Sequence, residues 1–210
     1  EITLTGERMT VTFDKRTSTF SLSDPASGRQ VLSRGYVRVH TDRDTYGARQ
    51  LVFKTVNSVE FQEDGEVGKA VVIGLQSTDN RLDVRLRLAL RPSLSGVLCR
   101  VQVKNRSRDT IGIHSIDVLC VDVTHERSLA VAVGDDLRYF RNGFHSWELT
   151  QAQAIEEGEN VSHFFTVLAN PQSKDSLVVG FLTFGDQLST VTALGVADGK
   201  STHLGQLMAT

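Results

Sequence analysis

The hydrophobic residues of this chain recur with a period of two almost everywhere, the pattern of strands that bury one face. In RLDVRLRLALR (81–91), Val84, Leu86, Leu88 and Leu90 share one face, while Arg85, Arg87 and Arg91 take the other. VLCRVQVK repeats the pattern, with Val97, Cys99, Val101 and Val103 on one side and Arg100, Gln102 and Lys104 opposite. The intervening PSLSG folds the two into a hairpin in which Leu88 falls near Cys99 and Leu86 near Val101. Further strands read at 9–14, 18–24, 35–41, 56–64, 70–78, 162–170, 176–184 and 190–197. Turn signals such as DPASG (24–28), EDGEVG (63–68) and ADGK (197–200) separate them.

One further strand, 110–123, follows 97–105 across the turn RSRD, and the two are expected to pair. Ile116, Val118 and Cys120 lie on one parity and Leu119, Val121 and Val123 on the other, so this strand belongs where both faces are covered. Asp117 and Asp122 within it then need partners, expected to be structural hydrogen bonds to loop backbone. Only AQAIEEGEN (152–160) suggests a helical turn or two. The pattern therefore predicts an all-β fold, a large two-sheet antiparallel β-sandwich with almost no helix. With 210 residues and no Pro/Gly/Ser-rich linker, it reads as a single domain over 1–210.

Composition narrows the function classes. The 23 basic residues stand against 25 acidic ones for a net charge of −2, so nothing points to nucleic acid as a partner. For the same reason the arginine face of 81–91 reads as a face toward solvent or a second domain, in preference to a polyanion site. No apolar run approaches the ~18 residues of a membrane span. The opening EITLTGERMTVTF lacks the basic start and apolar core of a signal peptide, so a cytoplasmic location is expected. Cys99 and Cys120 are too few for a disulfide scaffold or a four-ligand zinc site. The expected hairpin sets Cys99 opposite Ser115, ~13–16 Å from Cys120 at the rise of a strand, beyond disulfide reach.

Motifs for standard chemistry are absent: no GxGxxG after a strand, no GxxxxGK[ST], HExxH, EF-hand loop or GxSxG, hence no cofactor and no metal. The six histidines (His40, His114, His125, His145, His163 and His203) have no ligand spacing. Asp135 and Asp136 read as a polar turn, because catalytic carboxylates for glycoside cleavage flank a sugar ring ~5–9.5 Å apart and no opposing acid is apparent. The sequons at Asn105 and Asn160 are treated as silent.

The informative segment is LRYFRNGFHSWEL (137–149). Tyr139, Phe140, Phe144 and Trp147 place four aromatics, including the only tryptophan, within nine residues. Asn142-Gly143 is a turn signal with positive φ, so Phe144, His145, Ser146 and Trp147 are expected on a loop. Pyranose C–H faces stack on aromatic planes, and sugar hydroxyls need amide, hydroxyl and imidazole partners. Asn142, His145, Ser146 and Trp147 supply that set, although composition alone favours a loop plugging the sandwich end, with Trp147 in the core.

NGFHSW resembles the N-G-aromatic-x-S-W signature in the N-terminal domain of family 36 glycoside hydrolases, the α-galactosidase and raffinose-synthase group. GVLCRVQVKNRSRDTIGIHSIDVLCVDV before it, and SLVVGFLTFGDQLSTVTA after it, are similar to that domain's flanks, so the resemblance spans roughly 80–200. His145 stands where the signature more often has Gln. The resemblance implies a β-supersandwich packed on a catalytic (β/α)₈ barrel that carries an Asp nucleophile and an Asp acid/base. A barrel needs ~250 residues of alternating strand and helix, which this chain lacks. The family's Lys-Trp-Asp nucleophile motif is also missing, since Trp147 lies between Ser146 and Glu148.

The resemblance thus implies an accessory domain that catalyses nothing alone, its barrel expected downstream. Trp147, or an aromatic that it supports, would reach a galactoside-type carbohydrate in the barrel's pocket, within the subunit or across a homo-oligomer, with Asn142, Gly143 and Ser146 fixing the turn and Phe144 shaping it. The final GQLMAT, a potential strand with no polar tail, agrees with an excised domain. Two other readings remain open: a free-standing lectin-like sandwich, and a purely structural or oligomerisation domain.

Overall fold

The computed structural model of the chain describes residues 1–63, 65–123, 128–132, 136–145, 147–183, 188–199 and 201–210. Of the positions singled out above, Ser146, His125 and Asp135 lie outside the described residues, as do the predicted strand ends Asp64 and Phe184. The fold is nearly all β, with antiparallel sheets in a sandwich-like arrangement. The single helical element among the described residues is a 3₁₀ turn, Ala130–Ala132. No helix among them is long and apolar enough to cross a membrane. The chain divides into two compact units, Glu1–Val118 and Leu119–Thr210.

In the first unit, β1 (Ile2–Thr5), β2 (Thr10–Asp14), β3 (Thr19–Ser23) and β4 (Gln30–Thr41) follow one another in a sheet, with β5 (Thr45–Tyr46) beside the end of β4. A second sheet is a meander of β6 (Leu51–Glu63), β7 (Glu66–Ser77), β8 (Leu82–Leu90) and β9 (Leu98–Asn105). The β8–β9 register is the one the alternation predicts, with Leu86 opposite Val101 and Leu88 opposite Cys99. Phe13 of β2 meets Phe53 of β6 at 6.2 Å between ring centroids, and Ile73, Leu82, Leu86 and Leu88 complete a closed core. Each such side chain, moved from water to this interior, contributes about 1.5–3 kcal/mol.

The expected pairing of 97–105 with 110–123 does not form. Asn105 receives the Ser107 N–H and donates its amide to the Asp109 carbonyl, and this turn carries the chain away from β9. The next strand, β10 (Ile113–Asp122), joins the other sheet beside β4. Cys99 therefore meets the Val118 carbonyl, at 3.4 Å, instead of standing opposite Ser115. Both cysteines are free thiols, and burial pushes Cys99 up to about 12. Asp117, only 2% exposed, finds its partners on β4 and not in a loop: Arg38 Nε at 2.5 Å and His40 Nε2 at 3.2 Å. A buried carboxylate demands such a cation, because solvation is lost on both faces of the strand.

In the second unit, the end of β10 pairs with β17 (Thr202–Ala209), then β16 (Thr190–Ala197) and β13 (Gly158–His163). The companion sheet has the order β12 (Gln151–Ala154), β11 (Arg138–Arg141), β14 (Phe165–Asn170), β15 (Asp175–Gly180). Tyr139, Leu168, Val191, Ala193 and Leu207 are fully buried. AQAIEEGEN, read as helical from its Ala, Gln and Glu, is instead the end of β12, a turn and the start of β13. Gly158 (φ 90°) supplies the left-handed step, and Asn160 fastens the turn by accepting the Glu156 N–H and donating to the carbonyls of Glu156, Gly158 and Ala193. The predicted strand 162–170 is likewise broken at Phe164, whose φ of 67° turns β13 into β14.

Candidate functional site

The loop between β11 and β12 is held from below by β13. The backbone N–H of Asn142 donates to Ser162 Oγ at 2.8 Å, and its side-chain amide donates to the His163 carbonyl at 2.8 Å. His163 returns its own N–H to the Asn142 carbonyl at 2.9 Å. The Ser162 hydroxyl donates to the Phe165 carbonyl at 2.6 Å and lies 3.4 Å from the Phe140 carbonyl, so one hydroxyl ties β11, β13 and β14 together. Asn142 is thus committed to fixing the loop's base. Beneath it, burial pushes the Tyr139 phenol up to about 12, so it stays protonated.

Gly143 is required for a different reason than Asn-Gly suggests. Its φ is not positive. A Cβ there would stand 2.7 Å from Glu148 Cβ and 3.0 Å from the Glu148 carbonyl oxygen, so only glycine lets the two arms of the loop close. Across that closure Glu148 Oε2 accepts the Phe144 N–H at 2.5 Å, with His163 Nε2 at 3.9 Å, while Gly143 N–H donates to Thr150 Oγ1 at 3.1 Å. The Phe144 amide holds the Glu148 carboxyl below its ordinary range. A lowered carboxylate pKa means that this tie is intact above the usual glutamate range and is lost as pH falls through the lowered value.

Glu148 N–H also reaches the His145 carbonyl at 3.0 Å, closing the turn that carries Trp147. Trp147 is 79% exposed, so of the two readings of the loop the one with Trp147 in the core does not describe it. Its ring lies on the His145 imidazole, centroids 4.5 Å apart and planes at 13°. Phe144 packs edge-on against His145 at 4.4 Å and near His163 at 5.2 Å. The loop therefore presents a two-ring platform, Trp147 on His145, braced by Phe144. An exposed indole flanked by imidazole suits the apolar face and hydroxyl rim of a sugar. Among the described residues no three His, Cys, Asp or Glu side chains gather into a metal-holding group.

Of the residues named from sequence, Trp147, His145 and Phe144 come together as the platform, Asn142 and Gly143 build its base, and Ser146 lies outside the described residues. Sequence reasoning missed Ser162, His163 and Glu148, which hold the loop. It also missed a neighbouring feature. On the sheet β12-β11-β14-β15, Phe140 stands opposite Ala152, and Val167 opposite Val178. The Phe140 and Phe165 rings stack at 5.7 Å, and Phe165, Val178, Ala152 and Ala154 are exposed, so this outer face is largely apolar. No known family model matches the chain, and no curated protein matches it.

Proposed function

We propose that this chain is the non-catalytic β-sandwich module of an α-galactosidase-like glycoside hydrolase, which packs on a catalytic barrel and offers its 142–149 loop to the barrel's sugar site. The observation that carries this reading is Trp147, stacked on His145 yet 79% exposed. A platform whose base consumes Asn142, Ser162 and Glu148 is an investment in presenting that ring. The apolar outer face of β12-β11-β14-β15 supports the second half of the proposal, since a face of Phe, Val and Ala calls for a covering domain. In this reading the chain has no catalytic residue, and sugar hydrolysis belongs to the barrel.

A second reading, a free-standing carbohydrate-binding module, is favoured by the platform being assembled entirely from this chain's own residues. Fluorescence of Trp147, the sole tryptophan, separates the two. Acrylamide is expected to quench it strongly with no response to galactose, as for a ring awaiting its barrel. A saturable galactose shift moves the conclusion to the binding module. Resistance to acrylamide, or release of galactose from an α-galactoside by this chain alone, overturns the proposal.

A further inference from the structure

The outer face of the sheet β6–β9 carries a concentration of positive charge at odds with a chain of net charge −2. Arg87 stands directly opposite Arg100 across β8 and β9, and Arg85, two residues before Arg87, shares their face. Like charges directly opposite in a ladder destabilise the pair. Elsewhere on this face charge is neutralised: Arg91 meets Glu63 at 2.5 Å and Arg106 meets Asp83 at 3.3 Å. Arg85 and Arg100 have no acidic partner among the described residues, and the Arg87 guanidinium lies 4.4 Å from the Phe61 ring centroid.

These arginines border a hollow. Two contiguous depressions of about 260 and 240 Å³ share Val72 and Arg85. The first runs over Thr55, Asn57 and Gly74, and the second over Arg87, Arg100 and Gln102. Gly74 forms part of the floor, and a Cβ there would collide with Thr55 Oγ1. A glycine in a strand interior often marks a close approach of this kind. Guanidinium groups beside a hydroxyl and two neutral amides over a small apolar floor match a ligand that carries both anionic groups and hydroxyls.

We propose that this face binds an acidic glycan, with carboxylate or sulfate groups on Arg85, Arg87 and Arg100 and hydroxyls on Thr55, Asn57 and Gln102. Nucleic acid is disfavoured because the one aromatic here, Phe61, is covered by Arg87 and offers no stacking surface. A folded acidic partner is disfavoured because its interface would need an apolar core of several hundred Å², where this face offers charge and short polar side chains. The site lies on a different sheet from the Trp147 loop, so it stands or falls independently of the function proposed above.

The test is calorimetric titration of the full chain with an oligogalacturonate and, separately, with a sulfated galactan oligomer. Neutral galactan and a polyglutamate peptide serve as controls. Saturable binding of either acidic glycan is expected, weakening as salt rises. Arg85→Gln and Arg100→Gln should each lower affinity about tenfold, as loss of a charge-assisted hydrogen bond implies. Arg43→Gln, an exposed arginine on the turn between β4 and β5 of another sheet, should leave the affinity unchanged, and thermal melts verify that every variant is folded. The carboxylated and sulfated probes distinguish which anionic group the arginines take. Absence of binding, equal binding of polyglutamate, or affinity unaffected in the folded Arg85→Gln, Arg100→Gln double variant overturns the proposal.

Discussion

The two four-stranded sheets are equally buried on the inside and differ on the outside. β8 turns Val84, Leu86 and Leu88 inward, and β14 turns Thr166, Leu168 and Asn170 inward, each group buried within its own unit. Outward, β8 carries Arg85 and Arg87, facing Arg100 and Gln102 of β9, whereas β14 carries Phe165 and Val167, facing Gly180 and Val178 of β15. Backbone hydrogen bonding and inner burial make each sheet, and they leave the outer positions free to vary. The outer rows therefore report on what each sheet meets. One row is lined by guanidinium and amide groups, the other by Phe, Val and Gly.

The largest expected effect tests the claim that the interiors are equivalent. Leu86→Ala and Leu168→Ala, both at fully buried positions, should each cost about 2–5 kcal/mol in urea denaturation. If each variant lowers only one of two resolved transitions, the units fold separately, and the comparison is between independent modules. A cost near zero for either one breaks the premise. An outer substitution should act differently. Val178→Asp, at a position 65% exposed, should change stability by no more than about 0.5 kcal/mol while lowering the binding of a hydrophobic dye to the chain. The smallest effect has the opposite sign. Arg100→Gln removes a like-charge pair with Arg87 and should stabilise the ligand-free chain by about 0.2–1 kcal/mol, more at low salt than at high.

Much of the sheet structure was legible from the residues, because alternation directly encodes which face is buried. The β8–β9 register followed from aligning two apolar rows. What could not be read were the places where backbone geometry or a distant partner decides. The helical composition of 152–160 was overruled by Gly158 and by the Asn160 side chain, and Phe164 interrupts the apolar run 162–170 by taking a left-handed φ that no periodicity announces. The β9–β10 turn looks like a hairpin turn, yet pairing depends on which sheet covers both faces of β10. At the loop, the density of aromatics was plain in the sequence. Its supports, Ser162 and His163, lie about twenty residues downstream and are joined to Asn142 only by tertiary structure. The aromatic pair in SHFF, adjoining them, was the available signal, since Phe144 lies 6.1 Å from Phe164.

The fastening of the 155–160 turn also has a consequence for how the protein is made. Asn160 and Ser162 form an N-glycosylation sequon, and both of its polar residues are spent inside the fold, the amide on three carbonyls and the hydroxyl on a fourth. A host that attaches an oligosaccharide to the nascent chain would modify this asparagine before the turn closes. The resulting glycoprotein would lose the amide bonds that fasten this turn, so a host that leaves the sequon unmodified is the better choice for production.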